Sequence, residues 1–262
     1  MLGLFDSGLG GLSVLRQVRA ALPYEDILFL ADQANVPYGD RSEEELYRYL
    51  RANLAWLEAQ GAQAIVMACN TSCAVAQRRG WPQTLVPVLD LIESASTAIA
   101  RRGFREIAVI ATAATVRTGA YGTSIRARIG NAHVTEIAAP ALVPLVEAGK
   151  SATQEARRAV ADVCERVPKN CEAAVLACTH YPALDAHFAE ALGSTVARID
   201  PAFVQAERTV ALAIETSLQR GESRTRCATT GDLERFDAQL NELLGADERR
   251  IIEAVRLEYE RD

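Results

Sequence analysis

A chain of 262 residues, 49% hydrophobic and 24% charged, is ordinary for a soluble globular protein and long enough for one large domain or two smaller ones. A formal net charge of −6 with no run of lysines or arginines argues against nucleic acid as the main partner. No apolar stretch reaches membrane-spanning length, and the opening Met1-Leu2-Gly3-Leu4-Phe5-Asp6 has neither a basic region nor a signal-peptide core, so a cytoplasmic location with no membrane partner is expected.

Leu2 to Phe5 reads as a first strand, and Asp6-Ser7-Gly8-Leu9-Gly10-Gly11 as a glycine-rich turn before the helical spacing of Leu12 to Leu22. Strand, glycine loop and helix in that order can cradle an anion on backbone N–H groups. The glycines break the dinucleotide fingerprint, however, and no Gly-Lys-Ser/Thr follows, so a tight turn without a ligand competes with that reading. Ile27 to Leu30 is a second strand, ending at Ala31-Asp32 and a loop that holds Pro37-Tyr38-Gly39. Ser42 and Glu45 resemble a capping box for a long helix from Glu43 to Ala59. A third strand, Ala64 to Ala68, delivers Cys69, and Thr71 to Arg79 is helical. Val86 to Leu89 is a short fourth strand, followed by a helix from Leu91 to Arg101.

After Arg102-Gly103 the pattern restarts. Ile107 to Ile110 is a strand ending at Ala111-Thr112, with Thr115 and Thr118 expected in the turn that follows. Val134 to Ala138 is the next strand, then a short helix over Pro140 to Ala148 carries Glu147, and a charged helix spans Ala152 to Arg166. Ala174 to Ala177 delivers Cys178, and Val196 to Ile199 ends at Asp200-Pro201. The remainder is read as helix, broken by a strand near Arg226 to Thr229 and closing with a charged surface helix from Asp247 to Tyr259.

Alternating strands and helices imply α/β architecture with parallel sheets, in which ligands bind at the carboxyl ends of strands. Asp6, Tyr38, Cys69, Thr112 and Cys178 all fall at or just beyond such ends. The ends also repeat: Asp6 to Thr112 spans 106 residues, Ala31 to Ala139 spans 108, and Cys69 to Cys178 spans 109. Two similar halves facing one another would put Cys69 and Cys178 on opposite sides of one cleft.

The six cysteines (69, 73, 164, 171, 178 and 227) contain no Cys-x-x-Cys, and the only histidines are His133, His180 and His187. Neither a disulfide framework nor a metal site is expected, and Cys164 and Cys171 are assigned to the core. A cysteine between a strand end and a helix start meets unpaired N–H groups and a positive dipole, which lower its thiol pKa. Two opposed thiols can take a proton from one face of a carbon acid and return one to the other, which is racemisation without a cofactor. An amino acid fits such a site, with Ser7, Tyr38, Asn70, Thr71 and Thr179 as hydrogen-bond donors and Asp6 and His180 as tuning or relay groups. Packing alone competes for each cysteine taken singly. Cys73 has no echo in the second half and is read as structural, and His187 as a surface or packing residue.

Phe5-Asp6-Ser7-Gly8-Leu9-Gly10-Gly11-Leu12-Ser13-Val14, Pro37-Tyr38-Gly39, Ala68-Cys69-Asn70-Thr71 and Cys178-Thr179-His180-Tyr181-Pro182 resemble the motifs of bacterial glutamate racemases. Weaker matches are Thr112-Ala113-Ala114-Thr115-Val116 with Tyr121, Val143 to Gly149, and Thr229-Thr230-Gly231-Asp232. The resemblance covers nearly the whole chain. It implies a cofactor-independent enzyme interconverting L- and D-glutamate, the D form supplying peptidoglycan. It further implies that Cys69 faces the D-enantiomer and Cys178 the L-enantiomer, with Asp6, Glu147 and His180 assisting. Asp6-Ser7, Pro37-Tyr38-Gly39, Cys69-Asn70-Thr71, Thr112, Thr115 and Cys178-Thr179-His180 would bind the substrate. Two similar parallel-sheet domains around a cleft are implied, residues 1–92 with 203–262 and residues 93–202, in a homodimer. Ala31, Ala111 and Ala177 stand where the family more often has glycine. The rivals are an aspartate racemase, whose relatives carry glutamate at the position of His180, a silent amino-acid-binding protein, and a thiol redox protein.

Overall fold

The computed structural model describes residues 1–216, 218, 221–244 and 250–257. In chain order its first half runs β1 (Leu2–Asp6), α1 (Leu12–Ala21), β2 (Ile27–Ala31), α2 (Glu43–Ala59), β3 (Ala64–Met67), α3 (Asn70–Arg79), β4 (Val88–Leu89) and α4 (Leu91–Arg102). The second half follows as β5 (Glu106–Ala111), α5 (Ala113–Thr118), α6 (Ala120–Arg128), β6 (His133–Ala138), α7 (Leu142–Glu147), α8 (Gln154–Cys164), β7 (Ala173–Ala177), α9 (Asp185–Leu192) and β8 (Ala197–Ile199). The chain then returns through α10 (Pro201–Glu215), β9 (Thr225–Thr229), α11 (Leu233–Leu244) and β10 (Arg250–Ala254).

Two parallel sheets result, one ordered β10-β9-β2-β1-β3-β4 and the other β6-β5-β7-β8. The order β2-β1-β3-β4 is thus repeated by β6-β5-β7-β8, as the offset of strand ends predicts. Register keeps the carboxyl ends level, with Asp6 opposite Ala31 in one sheet and Ala111 opposite Ala138 in the other. The strands β1, β2 and β7 are buried along their whole length. Unbroken runs such as Ala173-Ala174-Val175-Leu176-Ala177 suit that position, because helices cover both faces of a parallel sheet.

Local chemistry fixes the helix starts. At α2 the Glu45 N–H donates to Ser42 Oγ at 3.2 Å while the Ser42 N–H donates to Glu45 Oε2 at 3.0 Å, the expected capping box. Losing such a cap costs about 1 kcal/mol. At α10 the buried Gln205 donates from Nε2 to the carbonyls of Met67 and Leu89, both at 2.8 Å. This bolts the returning chain onto β3 and β4, after which β9 pairs with β2.

Two elements differ from expectation. Thr115 and Thr118 lie in α5, not in a turn, and α6 follows directly because Gly119 adopts the left-handed conformation (φ 64°) that ends one helix and starts the next. Beside the buried Tyr121 and Ile125, the small buried residues Ala120, Gly122 and Ser124 leave α6 without the apolar stripe that marks a helix in sequence. Residues 250–254 form the strand β10 beside β9 where a surface helix is expected. Residues 255–257 of that stretch have no regular structure, and 247–249 and 258–259 lie outside the described residues. All six cysteines are buried free thiols, Cys164 and Cys171 within the second half's core.

Candidate active site

Cys69 stands between β3 and α3 and is the N-cap residue of α3, accepting the Ser72 N–H at 3.5 Å on its sulfur. Its thiol donates to Ser7 Oγ at 3.6 Å. The helix start is where the sequence puts it, but the thiol moves the other way. Burial first, and then the charge of Asp6, push Cys69 up to about 12 against the weaker pull of Ser72 and Ser7. Only 3% of Cys69 is exposed, so the loss of hydration outweighs the helix terminus.

Asp6 ends β1 and is fully buried. Its Oδ2 accepts the Gly11 N–H at 2.5 Å and the Thr179 hydroxyl at 3.2 Å, while Oδ1 has no hydrogen-bond partner. Burial raises its carboxyl above the ordinary range, opposed by His180 and by the donors on Gly11, Ser7 and Thr179. The glycine-rich turn therefore spends a backbone N–H on the protein's own carboxylate. Its glycines serve close approach. A Cβ on Gly11 would lie 2.4 Å from Asp6 Cβ, and one on Gly10 would lie 2.4 Å from Thr179 Oγ1 and 2.8 Å from His180 Nδ1.

Cys178 follows β7, but no α-helix begins beside it: a single 3-10 turn, Tyr181–Leu184, precedes α9. Its electrostatic partner is His180, whose Nδ1 lies 3.7 Å from Cys178 Sγ while Nε2 meets Glu147 Oε1 at 2.5 Å. Burial alone would pull the imidazole down; Cys178 and Glu147 outweigh it and hold His180 well above its ordinary value. Correspondingly, the hydrogen bond from His180 is the main force holding Glu147 below the usual carboxylate range.

Several contacts join the halves around these groups. Thr179 reaches Asp6, and Thr71 Oγ1 lies 3.0 Å from Thr112 Oγ1 and 3.3 Å from Thr115 Oγ1. Gly39 abuts Thr112, where an added Cβ would sit 3.4 Å from Thr112 Cβ. The Val36–Pro37 peptide preceding it is cis. Tyr38 is buried, but its hydroxyl donates to Asp32 Oδ2 at 2.5 Å, so the expected side-chain donor is already engaged. Asn70 accepts the Tyr121 hydroxyl on Oδ1 at 2.5 Å, leaving its Nδ2 buried and unpartnered. Cys73 is buried one turn beyond Cys69 with Asp90 as its polar neighbour, and His187 bonds the Ser151 carbonyl at 2.9 Å. Among the described residues no group of three His, Cys, Asp or Glu side chains is arranged to hold a metal ion, and no helix is long and apolar enough to cross a membrane.

Residues 12–209 match the Asp/Glu/hydantoin racemase family. A glutamate racemase of Gloeobacter violaceus is 44% identical over 242 residues, covering 90% of this chain and 89% of that protein. The chain belongs to the glutamate racemase branch of that family. Among solved structures, the Thermus thermophilus glutamate racemase in complex with β-chloro-D-alanine superposes with a TM-score of 0.86 at 36% identity, covering 97% and 96% of the two chains. The Francisella tularensis glutamate racemase in complex with D-glutamate gives 0.88 at 27% identity, covering 97% of each. For a glutamate racemase the notable additions to the sequence-derived residue set are Ser72, Asp32 and Tyr121. Each supports an expected residue from behind: Ser72 the Cys69 sulfur, Asp32 the Tyr38 hydroxyl, Tyr121 the Asn70 amide. Tyr121 lies in one of the weaker motif matches, and Asp32 directly follows the second strand; only their partners were invisible in sequence.

Proposed function

We propose that this enzyme interconverts L- and D-glutamate by moving the α-proton between two thiols, Cys69 and Cys178, with no cofactor. One observation supports this above the rest: the carboxyl ends of matched strands in two repeated sheets each present a buried cysteine, and each cysteine has its own ionisable neighbour. A pure binding protein has no use for that duplication. In the reaction a cysteine thiolate forms an S–H bond with the α-proton as the Cα–H bond breaks, and the electron pair delocalises into the α-carboxylate. The opposite thiol then gives its proton to the other face of Cα and is left as thiolate. Burial favours the protonated thiol at Cys69, while the His180 imidazole, raised above its ordinary value by Cys178 and Glu147 together, lies beside Cys178. On this reading Cys178 takes the α-proton of the L-enantiomer and Cys69 returns one to the opposite face.

Asp6 tunes the Cys69 side, and Glu147 acts through His180 on the other. Neutral donors and backbone N–H groups from Asp6-Ser7, Pro37-Tyr38-Gly39, Asn70-Thr71, Thr112, Thr115 and Thr179-His180 hold the substrate, Tyr38 through its backbone because its hydroxyl is committed to Asp32. The domains on this reading are residues 1–92 with 203–262, and residues 93–202, with the site in the cleft between them. The enzyme works in the cytoplasm as a homodimer, and its D-glutamate feeds peptidoglycan and so cell-wall growth and cell shape. The test is incubation with each L-amino acid followed by chiral analysis. Glutamate should be preferred over aspartate and glutamine, because a shorter acid misplaces Cα between the thiols. Equal kcat/KM with aspartate would sink the assignment.

A further inference from the structure

Tyr121 is not among the residues assigned to proton transfer or substrate binding, yet it is fully buried and its hydroxyl is aimed at a substrate-binding side chain. Its hydroxyl donates to Asn70 Oδ1 at 2.5 Å. Asn70 is 3% exposed, and its Nδ2 is buried with no hydrogen-bond partner. A buried N–H without an acceptor is costly, so natural structures leave one only where something else meets it. The two residues come from different halves: Asn70 is the first residue of α3, directly after Cys69, and Tyr121 sits in the first turn of α6.

We infer that Tyr121 is a positioning residue, whose hydroxyl holds the Asn70 carboxamide by its oxygen and so turns the amide N–H groups toward a carboxylate of the bound substrate. The inference rests on the racemase reading of the site. The direction of the hydrogen bond follows from chemistry. Burial pushes the Tyr121 phenol well above its ordinary value, with the neighbouring acidic groups Cys73, Asp90, Cys178 and Asp200 adding to it. Tyr121 is therefore a committed O–H donor, and the acceptor on Asn70 is its oxygen. A flipped amide would strand the phenol proton and present a carbonyl oxygen to an anionic ligand, whereas the observed orientation leaves an N–H for that ligand to meet. Because the bond spans the two halves, the amide is correctly turned only while α6 stays seated against α3.

Tyr121→Phe removes one oxygen and keeps the ring. Steady-state racemisation of both enantiomers is measured for wild type, Tyr121→Phe, Asn70→Ala and the double variant. Tyr121→Phe should raise KM about 10-fold in both directions with kcat changed far less, in keeping with a lost hydrogen bond acting on a charged group. In the Asn70→Ala background the same change should add nothing, because Tyr121 acts through the amide. A merely structural tyrosine would instead add its effect in either background, and that result would overturn the inference, as would an unchanged KM in Tyr121→Phe. Asn70→Asp gives a second arm that leaves Tyr121 untouched. The tyrosine still has an acceptor, but an oxygen replaces the N–H groups, so KM should rise further than in Asn70→Ala. Wild-type KM in Asn70→Asp would likewise refute the orientation. Calorimetric binding of D-glutamate, run on the same variants, separates this inference from the function. A wild type that binds but does not racemise glutamate refutes the two-thiol reading, while the binding cycle still decides whether Tyr121 and Asn70 act as one unit.

Discussion

Gly10 offers a perturbation whose size can be worked from the structure. A Cβ there would lie 2.4 Å from Thr179 Oγ1, 2.8 Å from His180 Nδ1 and 2.9 Å from Thr179 Cβ, whereas ordinary contact begins at 3.4 Å. Gly10→Ala must therefore move the Thr179-His180 segment by about 1 Å, and a misplacement of that size costs about 10²-fold in a reaction that depends on alignment. The shift stretches the Thr179–Asp6 hydrogen bond, 3.2 Å at rest, and carries His180 relative to Cys178, 3.7 Å away. Gly8→Ala is the matched control: its Cβ would meet Val36 Cγ1 at 3.6 Å and Glu147 Oε1 at 3.7 Å, both ordinary distances. Racemisation of purified, folded variants is followed by polarimetry from each enantiomer, together with α-proton exchange into deuterated water. Gly10→Ala should lose about two orders of magnitude in kcat/KM, with exchange from L-glutamate hit harder than from D-glutamate, and Gly8→Ala should stay within about 3-fold of wild type. Equal, small effects from both alanines would refute the idea that the turn sets the position of the Cys178 side.

Cys69→Ser and Cys178→Ser should each lower racemisation by about 10²–10⁴-fold, as expected for a lost general acid–base group, and mixing the two should restore nothing. Cys73→Ser should cost little; a loss as deep as that of Cys69→Ser, measured in the same assay, would break the pairing of Cys69 with Cys178. The His180–Glu147 pair gives a stability signature. Folding raises His180 above 6.5, so its contribution is complete below that pH and fades as pH climbs through the higher folded value. Folding lowers Glu147 below 4.5, so its contribution is complete above that pH and fades as pH falls through the lower folded value. The difference in unfolding free energy between wild type and Glu147→Gln, from denaturant melts, should therefore be greatest between pH 4.5 and 6.5, at about 2 kcal/mol for a hydrogen bond to a charged group, and shrink on either side. A difference independent of pH would contradict the pairing.

Most of the fold was legible because its strands are unbroken apolar runs and its turns carry their own chemistry. Ile27 to Leu30 and Ala174 to Ala177 could hardly be anything but buried strands, and Ser42 with Glu45 announced the start of α2. What escaped depends on neighbours distant in sequence. The strand β10 exists because β9 offers an edge, and a charged segment such as Arg250 to Ala254 carries no local sign of that. In α6 only Tyr121 and Ile125 are large among the buried residues, and the small Ala120, Gly122 and Ser124 beside them leave no periodic trace. At the site, residue types and their placement on strand ends could be read, but electrostatic consequences could not. A helix terminus next to Cys69 argues for a thiolate; only the packed structure shows that burial and Asp6 reverse the sign. Likewise the Tyr38 hydroxyl reads as a free donor until Asp32 is seen against it.

Proton bookkeeping during turnover tests the two-thiol account most directly. Purified protein, treated with a chelator and given no pyridoxal phosphate or nucleotide, is incubated with L-glutamate in deuterated water, and both enantiomers are analysed at early times. Racemisation through Cys178 and Cys69 should yield D-glutamate carrying deuterium at Cα, because the returning proton comes from a solvent-exchanged thiol, while the remaining L-glutamate stays largely unlabelled. D-glutamate that keeps its original α-proton, or activity that vanishes until pyridoxal phosphate or a metal is restored, would contradict it.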